Sequence, residues 1–205
     1  IWTNEMHRSD IKSRTEVLAE VSRWLQTKHH IRMLGPLGFE NAYALAMPRV
    51  RAEQLGVHSI ADLAAHAPQL SIAGDYEFFE RPEWKALRDT YGLRFREQRT
   101  MQSDFMYRAA ASGEVDVIAA YTSDGRIAQF GLTVLADPRH AIPPYDAILL
   151  VGPKYADDQA LIGALQPLVN AIPCTPLREA NSRASTASTS PGDVAQWLWQ
   201  QIKRK

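Results

Sequence analysis

Between residues 39 and 151, apolar runs of strand length alternate with stretches patterned for helix, and this alternation limits the folds open to the chain. The clearest run is VDVIAAY at 115–121, of the kind that lies buried on both faces of a parallel sheet. Shorter strand-like runs stand at 39–47 (FENAYALAM, stopped by Pro48), 70–73, 93–97, 132–135 and 146–151. Helical signals fill the gaps. Ser59-Ile-Ala-Asp62 is a capping-box variant opening 59–67, and Pro82 and Gly92 suit the first turn and the C-cap of 83–91. Ser103 reads as the cap of 104–112, which ends at Gly113, and a short helix falls near 126–129. Strands separated by helices of roughly 8–15 residues predict βα units and a right-handed, mostly parallel sheet, hence an α/β fold. An amphipathic helix at 13–30 precedes them, with Val17, Leu18, Val21, Trp24 and Leu25 as its stripe and a break at 32–36. From residue 156 the chain turns helical, at 157–171 (kinked or restarted at Pro167), 176–184 and 193–202, with a polar loop at 185–190.

Composition narrows the function classes. With 205 residues the chain makes one large domain or two small lobes, and 45% apolar with 22% charged residues excludes a disordered or fibrous chain. Lys plus Arg and Asp plus Glu both count 23, so the net charge is zero and the whole-molecule argument for nucleic acid falls away. The longest uncharged run, 159–177, is interrupted by Pro167, Asn170, Pro173 and Pro176, and reads as helix and loop rather than a bilayer span. Residues 1–14 carry no signal-peptide pattern. The first residue is not Met, however, so targeting information could have been removed. Cys174 is the single cysteine, which excludes an internal disulfide and a multi-Cys metal site. It reads as a small buried or half-buried apolar residue rather than a reactive thiol.

Enzyme signatures are missing: no Gly-x-Ser-x-Gly elbow, no phosphate-cradling glycine loop, no His-Glu-x-x-His helix and no dinucleotide-binding glycine run. His29 and His30 are adjacent, a poor spacing for a metal, and suit a solvated helix end. No cofactor, metal or catalytic group is therefore expected. Tyr43, Tyr121 and Tyr145 fall at strand or strand-loop positions, where aromatic rings can converge on a cleft. Facing rings make a box for a quaternary ammonium, which donates no N–H and is held by the ring quadrupole. Arg81, close to a helix start, could grip a carboxylate. The residues alone leave a second reading open: ordinary strand tyrosines, with Arg81 paired to Glu80 or Glu83. Arg126 is expected to pair with Asp124 or to cap a helix end rather than touch a ligand, and most of the five tryptophans to pack in the core or between lobes.

Four strings carry a resemblance. FENAYALA at 39–46, FFERP at 78–82, SGEVDV at 112–117 running into AYTSDGRI at 120–127, and DPRHAIPPY at 137–145 together resemble the substrate-binding proteins of osmoprotectant ABC importers, those for glycine betaine, carnitine and choline. The resemblance implies a two-lobed, type II periplasmic-binding-protein clamshell. Its second lobe would be complete at 42–144, and its first lobe partial, from 1–41 and 145–205. It maps the family's ammonium box onto Tyr43, Tyr121 and Tyr145 and its carboxylate-gripping arginine onto Arg81. It further implies a small quaternary amine as ligand, a membrane permease as partner, no nucleic acid, and a periplasmic or extracytoplasmic place at the membrane. The family's opening strands and helices, with their Tyr-x-Gly-Thr string, have no counterpart here. The chain is thus expected to be a fragment, to pair an open sheet edge with another chain, or to be a short variant. A clamshell effector-sensing domain of a regulatory protein is the alternative, which the tyrosines and arginine disfavour.

Overall fold

The computed structural model describes residues 1–8, 10, 12–185 and 189–203, so part of the loop expected at 185–190 lies outside the described residues. In chain order the elements begin α1 (Arg14–His29), β1 (Arg32–Glu40), β2 (Tyr43–Pro48), α2 (Arg49–Leu55), α3 (Ile60–His66) and β3 (Ser71–Gly74). Next come α4 (Pro82–Tyr91), β4 (Glu97–Thr100), α5 (Ser103–Ser112), β5 (Val117–Tyr121), α6 (Arg126–Gln129) and β6 (Leu132–Val134). The chain closes with β7 (Asp146–Val151), α7 (Gln159–Leu165), α8 (Cys174–Ala184) and α9 (Pro191–Lys203).

The strands form two sheets. Five of them, in the order β4-β3-β5-β2-β6, make a sheet whose strands all come from between Tyr43 and Val134; β1 and β7 pair antiparallel in a second. Helices cover both faces of the larger sheet. Leu45, Met47, Ile72 and Val117 point to one core, shared with Phe78, Trp84 and Leu87; Ala46, Ala73, Ile118 and Ala120 point to the other, shared with Met106 and Tyr107. This is the period of two expected of strands buried on both sides, where each fully buried Leu or Ile contributes about 1.5–3 kcal/mol. A third core joins Trp2 and the buried stripe Val17, Val21 and Leu25 of α1 to Met33 and Ile148 of the small sheet. Helix α1 starts on a reciprocal capping box between Ser13 and Glu16, and α3 on one between Ser59 and Asp62.

Several expectations need correction. The large sheet is mixed rather than mostly parallel: β3 runs parallel to β4 and β5, but β2 is antiparallel to both β5 and β6. Residues 32–36 are not a break but the start of β1, and the strand read at 39–47 divides at Asn41 between the two sheets. Gly and Pro in β1 concealed it. Gly38 sits at φ +109°, where a Cβ would fall 2.9 Å from the Ile172 carbonyl, and the register shifts as the strand bulges. The strand expected at 93–97 lies later, as β4, because pairing with β3 begins only at Ser71 opposite Glu97. Leu93 still buries, as its apolar side chain requires. Ser103 is the first residue of α5 rather than its cap, and its hydroxyl accepts from Arg126 Nη2 at 3.0 Å. Helix α2 has no counterpart in the sequence reading. The helix read at 157–171 ends at Leu165 and passes into a 3-10 turn at Gln166–Leu168.

Candidate functional site

Antiparallel register brings the first two tyrosines together. Tyr43 is the first residue of β2, Tyr121 the last of β5, and the two are direct cross-strand partners with ring centroids 4.8 Å apart. Tyr43 is buried and also meets Phe78 at 5.3 Å. The guanidinium of Arg81 stands 5.4 Å from the centre of the Tyr43 ring. Arg81 is held extended because Pro82 follows it and starts α4. Glu83, in the first turn of that helix, is only 2% exposed, and its carboxylate accepts from Arg81 Nε at 3.1 Å and Nη2 at 3.4 Å. The same carboxylate accepts from the hydroxyl of Tyr145, 62 positions along the chain. Asp75, just past β3, caps the following 3-10 turn through Oδ1, which takes the N–H groups of Glu77 and Phe78. Its Oδ2 faces the Tyr121 hydroxyl at 3.4 Å.

The charges and protonation states follow from these contacts. Burial pushes the Glu83 carboxyl up, but hydrogen bonds from Arg81 and Tyr145 outweigh it and hold the group below the usual carboxylate value. Its bonds to Glu83 raise the Arg81 guanidinium further still. Burial above all raises the phenols of Tyr43 and Tyr121, and burial with the Glu83 bond pushes Tyr145 up to about 12. Near neutral pH the cluster therefore presents neutral phenol rings, the Arg81 guanidinium and the Glu83 carboxylate.

A cavity of about 830 Å³ adjoins this cluster, between the N-terminal segment and the large sheet. Trp2, Ser13 and Arg14 line one side, and Tyr43, Glu83 and Asp137 the other. Its volume suits a small organic molecule. Of the four residues singled out from sequence, Tyr43 lies on the cavity wall itself. Tyr121 stacks behind it, and Arg81 and Tyr145 meet at Glu83, which is on the wall. All four thus belong to one contiguous cluster. Such an arrangement can hold a cation against rings and carboxylates, and an acceptor on the guanidinium N–H groups that Glu83 leaves. Among the described residues there is no group of three side chains able to hold a metal.

Glu83 is one of the two partners read from the sequence for Arg81, whereas the link from Glu83 to Tyr145 and the place of Asp75 were missed. An acidic residue in a first helical turn is accounted for by the helix dipole, and an Asp after Gly74 by a turn. The adjacency of Arg81 and Glu83, flanking a proline, was the one available signal for the first.

The comparisons with known proteins agree in kind. A family profile described as the substrate binding domain of ABC-type glycine betaine transport system matches residues 1–201. The chain is 24% identical over 180 residues to the ergothioneine transport permease/ergothioneine binding protein of Helicobacter pylori, covering 85% of this chain and 32% of that protein. It is 31% identical over 175 residues to the glycine-betaine-binding protein of Pseudomonas aeruginosa, covering 79% of this chain and 56% of that protein. Among solved structures, one described as a glycine betaine/carnitine/choline ABC transporter superposes with a TM-score of 0.89 at 24% identity, over 98% of this chain and 75% of that one. The fold is thereby that of the type II periplasmic-binding-protein clamshell. The chain spans 32% and 61% of the lengths of the first two curated relatives.

Proposed function

The chain belongs to the family of substrate-binding domains of ABC-type glycine betaine transport systems, and from that premise we propose that it is the solute-binding component of an importer for quaternary amines of the betaine, choline and carnitine type. The observation that carries this reading is the Tyr43–Tyr121 ring pair, with Arg81 beside it and Glu83 tying Arg81 to Tyr145. The methylated nitrogen would rest against the phenol rings, each contact being worth about 0.5–2 kcal/mol, and the ligand carboxylate would take the N–H edge of Arg81 that Glu83 leaves. No bond is made or broken in this role, and no cofactor is called for. The permease would be the protein partner, at the extracytoplasmic face of a membrane; among the described residues no helix is long and apolar enough to cross one.

The lobe division at 42–144 against 1–41 and 145–205 is supported by the sheets, since the large one takes every strand from between Tyr43 and Val134 and β1 and β7 flank that segment. A ligand touching both parts would favour the closed arrangement through its differential contacts. Titration calorimetry with glycine betaine, carnitine and choline, and with unmethylated glycine as control, tests the reading. Methylated amines are expected to bind and glycine not to. Tyr145→Ala is expected to weaken betaine binding by roughly tenfold, one good cation–π contact. Unchanged affinity in that variant would remove Tyr145 from the box.

A further inference from the structure

Glu83 is a buried anion that the family resemblance left unassigned. Its side chain is 1% exposed, against 26% for Arg81, and it lies on the cavity wall. A carboxylate taken out of water this far is costly unless it is fully paired. Here it is paired twice over, with Arg81 through two N–H groups and with the hydroxyl of Tyr145 from a distant stretch of chain. The pair Arg81–Glu83 adds no net charge to the cavity; Asp75 faces the Tyr121 hydroxyl, and Glu40 and Asp137, with Lys12 and Arg14, line other parts of the wall. An arginine alone at 5.4 Å from the Tyr43 ring would repel a cation placed on that ring. We propose that Glu83 determines which quaternary amines the site admits: by offsetting the charge of Arg81 it lets cations that lack a carboxylate, of the choline type, bind alongside zwitterions of the betaine type. This rests on the quaternary-amine reading above and names the residue that sets its breadth.

The test compares choline and glycine betaine by calorimetry in the unaltered chain and in Glu83→Gln, with circular dichroism to check folding. The unaltered chain is expected to bind the two within about tenfold of each other. Glu83→Gln exposes choline to an uncompensated guanidinium and should lose about tenfold more affinity for choline than for betaine. Equal losses for both ligands, or an unmoved preference, would reduce Glu83 to a structural pair and overturn the proposal. Should the variant fail to fold, the unaltered chain decides: rejection of choline alongside firm betaine binding overturns the proposal, and comparable binding supports it. Absence of binding by any quaternary amine would sink the transport reading itself, and this inference with it, whereas betaine binding with an unmoved preference sinks only the inference.

Discussion

Asp124 and Arg126 pair with each other outside the cavity lining and show what the charged residues contribute to stability. Burial raises the Asp124 carboxyl, but hydrogen bonds from the Arg126 side chain, at 2.6 Å and 3.0 Å, and from its backbone N–H leave it below the ordinary 3.8. A folded-state value below the unfolded one means stability that is fully present above about pH 4 and is lost as the pH falls through the folded value. Asp124→Asn is therefore expected to cost about 2 kcal/mol at pH 7, lowering the melting temperature by roughly 4–8 °C. The gap between variant and unaltered chain should narrow below about pH 4; a gap constant from pH 7 to pH 3 would exclude the ionic pair as its source. At the site, Arg81→Ala is expected to harm betaine far more than choline, which has no carboxylate to lose, and calorimetry of both ligands reads the difference. Residue types were legible in the sequence because tyrosine, arginine and a single cysteine have few roles. The half-buried Cys174 and the Arg126–Asp124 pair stand as read. Glu83 was legible as a partner of Arg81 but not of Tyr145, which only the folded chain brings to it.

At the scale of elements, helices with local signals were mostly legible, α2 being the exception, and strand β1, which lacks them, was not. The capping boxes at Ser59 and Ser13 and the Pro82–Gly92 bracket of α4 are written in a few adjacent residues. Strand β1 depends on a partner more than a hundred positions away, and its Gly-Pro-Leu-Gly core reads locally as a break. Helix α8 illustrates a packing constraint that is also invisible locally. It reaches the loop after β5 through Arg178, which donates to the Thr122 carbonyl, and Asn181, whose Nδ2 donates to the Ser123 carbonyl at 2.8 Å. Gly125 lets the backbones meet: a Cβ there would stand 2.7 Å from Ser182 Cα and 2.8 Å from the Arg178 carbonyl. Gly125→Ala should push α8 off this loop and cost about 1–3 kcal/mol. Hydrogen exchange is expected to show faster amide exchange in α8 with α3 unaffected, and uniform protection would mean the loop accommodates the methyl group.

For the molecule as a whole, the chain passes between the two sheets twice, and both passages adjoin the cavity. At Asn41 the N–H donates to the Tyr145 carbonyl at 3.1 Å, and the hydroxyl of Thr122, after β5, donates to the Glu40 carbonyl at 2.9 Å. These bonds join the ends of β1, β5 and β7, the points from which Tyr121 and Tyr145 project into the cluster. Local alternation of strand and helix suffices for an α/β class, but it cannot encode the antiparallel course of β2, which is what sets Tyr43 against Tyr121. A ligand that touches Tyr43 on the large sheet and the segment around Trp2 and Arg14 would bind the folded molecule alone, and so stabilise it by mass action. At a hundred times its dissociation constant the gain is about 2.7 kcal/mol, or roughly 5–10 °C for a chain of this length. Scanning calorimetry with choline or betaine should show that rise within one cooperative transition. Tyr121→Ala, losing one ring contact, should need about tenfold more ligand for the same rise. If two transitions separate and ligand moves only one of them, the ligand is held by one part of the molecule and the cavity between the two is not its site.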